Sequence, residues 1–333
     1  MRTTRLIKSL KTAAILVAVL GSSCAESRGS SIRGGAVLSP PELASLEQSS
    51  VKNGHTPDLT EEAMMIATSD RKQARVNADL FLDKGQFLLS ANVMSTALLG
   101  RPIAGVVGHH VLTSDLIARF FKELHASRPD VTRFIILSPD HFKQGTDAIS
   151  VGAFDYATNG RTISVDSEAV AQVESFGATL GSRAMMEREH GIGALIPFIA
   201  REYKTDFTVV PIAIRADVNR DRIKAFGADL ASLLDDHTFV IVSSDMSHYL
   251  PEAIALKNDI ATETWLSNRD SNAMSRASDD YTDNGPAFVA LFSLLASKKL
   301  ELSFQRIDHT ISSRYGGSLE YTTSYINGVW STR

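Results

Sequence analysis

Three apolar runs in this sequence end on histidine. Ile103 to Val107 runs into Gly108, His109 and His110; Arg133 to Ser138 runs into Pro139, Asp140 and His141. Phe239 to Ser244 runs into Asp245, Met246, Ser247 and His248. Imidazole is a good ligand for iron, zinc and copper, and it moves protons near neutral pH. One histidine after a strand is ordinary: it caps a helix or hydrogen-bonds at the surface. Three of nine at equivalent places form a pattern. Two imidazoles and a carboxylate make the facial set of ferrous non-haem sites, which leaves coordination positions open.

Carboxylates for such a set stand elsewhere in the chain. Glu189 and His190 lie at the entry to an apolar helix, and Asp283 and Asn284 lie just before another. Aspartate or asparagine there also caps a helix, and for Asp283 alone capping is the commoner role. Ser243, Ser244 and Ser247 lack a Gly-x-Ser-x-Gly elbow and read as loop hydrogen-bonders rather than nucleophiles. His309 follows a closing strand and is given no role.

The elements that must position these residues alternate. Apolar strands are expected at 103–107, 133–138, 147–151, 207–214 and 238–244. Helices are expected at 112–127, 167–181, 192–203, 220–236, 252–268 and 285–299, with a kink or late start at Pro197. Two closing strands are expected at 300–309 and 318–328. Strands apolar throughout, alternating with amphipathic helices, predict an α/β fold: a mostly parallel central sheet with helices on both faces. In such a sheet ligands bind beyond the carboxyl ends of the strands, where the histidines fall. A glycine-rich phosphate loop is missing.

The first residues differ in kind. Arg2, Arg5, Lys8 and Lys11 precede the short apolar run "TAAILVAVLG" and then "SSC". This order predicts a signal peptide over 1–24, of lipoprotein type with Cys24 lipidated. Residues 25–75 read as a flexible tether, with a possible helix over 59–76 capped by Thr60, and 76–333 as the folded domain. The expected location is extracytoplasmic: exported, anchored in the membrane on the periplasmic side, with the outer membrane favoured because Ala25 supplies no retention aspartate. Cys24 is the single cysteine, which excludes an internal disulfide and a cysteine-rich zinc or iron–sulfur site. With 333 residues, 44% hydrophobic, and a net charge of −4, the chain has no basic stripe for nucleic acid.

The stretches "GVVGHH", "FIILSPDHF", "EREHGIGALIPF", "FTVVPIAI", "VIVSSDMSHY" and "DNGPAFVAL" occur in the order of the Memo family, also called AmmeMemoRadiSam system protein B. The chain resembles that family from about Arg101 to its end. The Memo fold is similar to the class III extradiol ring-cleavage dioxygenases, which use non-haem iron. The resemblance implies His109 and His141 as metal ligands, and His248 as an acid/base residue with Asp245 beside it. A third ligand would come from "TDNGP", with Asp283 favoured over Thr282. Glu189, His190, His110 and Asn284 would contact substrate.

The family's first motif usually reads Pro-His-Ala-Gly. Here it is "GHHVL", so His109 or His110 could be the inward one. The family's cysteine ligand is absent, and its serine after Glu-His is Gly191. The expected metal is iron(II), with zinc or copper as alternatives. The cleft would take a small molecule or a peptide, and a functional link to a radical SAM protein is implied. Two other readings compete with a dioxygenase-like enzyme: a non-catalytic peptide- or metal-binding module, and a zinc hydrolase.

Overall fold

Unbroken apolar runs seek burial on both faces, and they form the middle of one sheet. In a computed structural model, which describes residues 75–92 and 97–332, these runs are β3 (Arg133–Pro139), β8 (Thr208–Ile214) and β9 (Thr238–Ser243), buried almost throughout. The expected signal peptide, Cys24, the expected tether up to residue 74 and most of the helix expected from Thr60 lie outside the described residues. Val76, the last residue of that expected helix, is instead in a short strand, β1 (Val76–Asn77).

The other strands are β2 (Arg101–Val107), β4 (Ile149–Val151), β5 (Tyr156–Thr158), β6 (Arg161–Val165), β7 (Thr179–Leu180), β10 (Leu302–Ile311) and β11 (Ser324–Thr332). Among the described residues the sheet has eleven strands, in the order β1-β5-β6-β8-β3-β9-β2-β11-β10, with β4 on β8 and β7 on β4. β8, β3, β9 and β2 run parallel. β11 and β10 close one side antiparallel. β4 is antiparallel to β8, so the sheet is mostly, not wholly, parallel.

Alternation along each central strand divides the core. Ile135, Leu137, Val240 and Val242 face one apolar cluster; Phe134, Ile136, Phe239 and Ile241 face the other. The helices follow that division. In chain order they are α1 (Lys84–Leu89), α2 (Ser114–Ser127), α3 (Ser167–Ser175), α4 (Arg183–Arg188), α5 (His190–Gly193), α6 (Ile196–Glu202), α7 (Arg220–Leu230), α8 (Glu252–Asn268), α9 (Ser271–Met274) and α10 (Gly285–Ser297). α7 and α10 cover the first cluster. α2 and α6 cover the second.

Several elements differ from expectation: the helix expected over 220–236 ends at Leu230, and the closing strand expected over 318–328 begins at Ser324 and runs to Thr332. The helix over 167–181 stops at Ser175 and gives way to β7 after Gly177, whose φ of +97° admits glycine readily. The helix over 192–203 is two pieces, with Pro197 in the first turn of α6 where its missing N–H costs nothing. The β5–β6 hairpin turns on Asn159-Gly160, both at positive φ (+46° and +75°). Asn-Gly is a strong hairpin signal, masked here because neither strand is a long apolar run.

α7 and α10 approach so closely that a Cβ on Gly227 would overlap the Ala290 carbonyl. Backbone cannot yield as a side chain does. Gly227→Ala is therefore expected to lose about 2 kcal/mol through overpacking, despite alanine's better helix propensity. Urea denaturation measures it; an unchanged midpoint would mean the two helices can separate freely.

Candidate metal centre

β3, β9 and β2 are adjacent and parallel, so their carboxyl-terminal loops lie side by side. After β2 the chain turns at Gly108, whose N–H donates to Asn327 Oδ1 at 2.9 Å. The His109 N–H donates to Asp245 Oδ1 at 3.0 Å. A Cβ on Gly108 would lie 3.0 Å from that same oxygen, so glycine allows the approach. His109 is 3% exposed and points inward. His110 turns to Tyr325, with Nδ1 2.7 Å from the phenol oxygen. The doubled histidine is thereby resolved.

Hydrogen bonds behind the rings set their tautomers. The Ser243 hydroxyl donates to the Gly191 carbonyl at 2.6 Å, so it can only accept from His109 Nδ1, 3.0 Å away. His141 donates both its backbone N–H and Nδ1–H to Glu189, at 3.0 and 2.7 Å. His248 Nδ1 donates to the Met246 carbonyl at 2.6 Å. All three rings thus keep hydrogen on Nδ1 and leave Nε2 for the front of the site.

Those Nε2 atoms face one oxygen. Asp283 Oδ2 lies 3.3 Å from His109, 3.5 Å from His141 and 4.0 Å from His248. It is buried and has no hydrogen-bond partner, whereas Oδ1 lies 2.8 Å from the Ser244 hydroxyl. Thr282 points to Ser244 Oγ at 2.7 Å. Between the two candidates for a third ligand, Asp283 is the one that meets the histidines. Imidazole lone pairs and a carboxylate oxygen repel one another unless a cation sits among them. The donor set therefore fits a divalent metal, which two neutral imidazoles and one carboxylate would hold. His190 adds to it: His109, His141 and His190 can converge on one ion, as can His109, Asp245 and Asp283. The His190 ring stacks on His141 at 4.0 Å.

Without a metal, protons must play that part. Burial opposes charging His141, but Asp283 and Glu189 outweigh it and lift its pKa to about 10. Burial likewise opposes charging His109, yet Asp245 and Asp283 raise it. Burial, with the charges of His109 and His141, pulls His190 down to about 4, so it is neutral. Burial alone would raise Asp283, but the neighbouring histidines hold it well below the usual carboxylate range.

A cavity of about 560 Å³ opens over the cluster. His109, His110, His141, His190, Asp245, His248 and Asp283 line it, with Phe81, Val111, Phe142, Tyr249, Asp279 and Thr323. Two expected substrate contacts do not reach it. Glu189 is 1% exposed and lies behind His141, accepting also from the Gly191 N–H at 2.9 Å and the Ser138 hydroxyl at 3.2 Å. It is a positioning residue. Asn284 is 1% exposed, and its amide donates to the Leu137 and Ser243 carbonyls at 3.2 and 2.9 Å. It ties the ends of β3 and β9 to the start of α10 and cannot touch a ligand in the cavity.

Other residues escaped the sequence reading. Phe81 belongs to a single turn (Ala78–Phe81) with no periodicity to betray it. Phe142 and Tyr249 stood in plain view, each next to a site histidine. Gly191 is explained by Ser138: a Cβ there would overlap the Ser138 hydroxyl. Glu189→Gln is expected to weaken metal binding roughly 10- to 100-fold, because the charge that orients His141 is lost. Chelator competition reads this, with circular dichroism as the check on folding.

Fold and site together define an α/β protein carrying a metal-ligating type of His/Asp cluster at the carboxyl ends of parallel strands. The chain belongs to the Memo family: the family profile described as Memo-like protein matches residues 104–329. Among its relatives, a MEMO1 family protein of Caldivirga maquilingensis is 23% identical over 198 residues, 58% of this chain and 70% of the relative. One from Saccharolobus islandicus is 27% identical over 210 residues, covering 60% and 71%. A solved structure titled uncharacterized protein JW3007 from Escherichia coli K12 aligns with 68% of this chain and all of its own, at 14% identity and a TM-score of 0.45.

Proposed function

We propose that this domain is a metal-dependent protein of the non-haem iron type, with His109, His141 and Asp283 holding iron(II) and a small molecule bound in the cavity above them. One observation carries the reading: three imidazole Nε2 atoms are aimed at a single buried carboxylate oxygen that has no hydrogen-bond partner. When bound, iron(II) would supply Lewis acidity and a path by which electrons pass from a chelating ligand to dioxygen.

The chain's own residues do the rest. His248 keeps hydrogen on Nδ1, so its Nε2 accepts a proton from a ligand hydroxyl and returns it later. Asp245 holds the His109 backbone. Glu189 holds His141 in the tautomer a ligand needs. Phe81, Phe142 and Tyr249 add apolar surface to the cavity above these groups.

Metal content after anaerobic purification tests this, with His141→Ala beside the wild type. Iron near one equivalent in the wild type and little in the variant is expected. Zinc in its place would favour the hydrolase reading, and equal metal in both proteins would remove the premise. Oxygen uptake with small chelating phenols then separates an enzyme from a binding module.

Export and anchoring through Cys24 belong to the same proposal and rest on the N-terminal sequence. Labelled palmitate should be incorporated by the wild type and not by Cys24→Ala.

A further inference from the structure

Behind the loop that carries Asp245 and His248 lies a buried carboxylate outside the metal centre. Asp259 of α8 is 2% exposed. Its Oδ1 accepts from the Ser324 hydroxyl at 2.7 Å and from the Ser247 hydroxyl at 3.3 Å, and its Oδ2 lies 2.7 Å from His309 Nε2. A carboxylate taken out of water costs free energy unless hydrogen bonds replace the solvent. Here both of its oxygens have partners.

β10 is shaped to supply that histidine. It has a bulge between Arg306 and Asp308 in its pairing with β11, and one extra residue reverses the side-chain alternation beyond it. Before the bulge Arg306 reaches Glu263 of α8, at 2.6 Å. Beyond it His309 faces α8, and Asp308 reaches Arg119 of α2 on the opposite side of the sheet, at 2.7 Å. A regular strand would have turned Asp308 toward α8 and brought a second carboxylate to the side of Asp259.

Ser324 joins this pair to the site. Its hydroxyl, held by Asp259, accepts from the Ser247 N–H at 3.0 Å. Its N–H donates to the Ser247 carbonyl at 2.9 Å, and its carbonyl accepts from the Met246 N–H at 2.9 Å. The Met246 carbonyl is in turn the acceptor for His248 Nδ1, at 2.6 Å. We propose that Asp259 is a positioning residue for His248: with His309 behind it and Ser324 in front, it fixes the loop so that the Met246 carbonyl keeps hydrogen on Nδ1 and leaves Nε2 to take a proton. The use made of that nitrogen rests on the reading of His248 as the proton-moving group; the positioning itself needs no metal.

Nitrogen NMR of the full chain with isotopically labelled histidine tests this, in the metal-free protein at about pH 8.5, where a histidine of ordinary pKa is neutral. The tautomers differ in which ring nitrogen has the shift of a protonated one, and His248→Gln assigns the His248 signals by their loss. In the wild type His248 is expected in the Nδ1–H form. Ser324→Ala and Asp259→Ala are expected to raise the ratio of Nε2–H to Nδ1–H at His248 at least roughly fivefold, the effect of losing one hydrogen bond. Asp259→Asn, whose remaining oxygen can still accept from both serines, should stay within about twofold of the wild type. His141, held by Glu189 from another loop, is the internal reference.

A wild-type His248 found mainly as Nε2–H overturns the proposal, and so does a ratio that stays put in both Ser324→Ala and Asp259→Ala. An equal change at His141 overturns it too, because the variants would then have loosened the whole site. Should Asp259→Ala fail to fold, Ser324→Ala carries the test alone, since it removes a single oxygen. The metal reading fails separately: a protein that binds no iron(II) yet shows the His248 shift keeps the positioning role and loses the chemistry proposed for it.

Discussion

Asp283→Asn is expected to lower affinity for a divalent metal on the order of a hundredfold or more, while Thr282→Val leaves it within about fivefold. The Asp283 carboxylate is the anionic group that lies within 3.5 Å of the Nε2 atoms of both His109 and His141, and its Oδ2 has no hydrogen-bond partner. An amide in its place either presents a neutral oxygen or turns N–H groups into the space a cation needs. Thr282 is a tight control because it is the adjacent residue and its hydroxyl is bonded to Ser244, away from the histidines. Competition against a fluorescent chelator measures both variants. Equal losses in the two would mean that the loop as a whole supports the site and that no single oxygen binds.

Metal affinity is expected to climb with pH, by about tenfold or more per unit between roughly pH 7 and 10, because at least one proton must leave for each ion bound. One such proton is on His141, lifted to about 10 by Asp283 and Glu189 against the effect of burial, and His109, raised by Asp245 and Asp283 against its own burial, adds to the slope wherever it is charged. The same shift makes an opposite prediction for the metal-free protein. A raised histidine pKa stabilises the fold fully below its unfolded value near 6.5, and that contribution is lost as pH rises through about 10. Asp283 and Glu189 are both lowered, so their contributions are present above the ordinary carboxylate range and lost in acid. The gap in melting temperature between loaded and metal-free protein should therefore widen from pH 6 to pH 9. Thermal scans with and without iron(II) under anaerobic conditions test this. A gap that does not change with pH would mean that no histidine proton is exchanged for the ion.

Much of the fold was legible because its signals are local. The central strands are unbroken apolar runs, and α2 and α10 carry apolar faces long enough to identify. Short elements were not: β1, β5, β6 and β7 have two to five residues each, and pairing partners rather than composition make them strands. The site divided along the same line. His109, His141, His248 and Asp283 could be named because each sits at a strand end or helix start. Glu189 and Asn284 were assigned to the wrong side of the site, since nothing in a residue's type tells whether it faces a cavity or the back of a ligand.

By itself, the order of residues determined that three histidines would end apolar strands and that an acidic group would precede α10. The tertiary structure alone decided that β3, β9 and β2 are neighbours, so that those strand ends share one crevice. It also decided which imidazole nitrogen faces forward, because the hydrogen bonds that choose it come from residues far away in sequence: Glu189 for His141 and Ser243 for His109. Strand order and the tautomers of His109 and His141 are settled by partners that no local window contains, whereas His248 takes its tautomer from the Met246 carbonyl two residues before it.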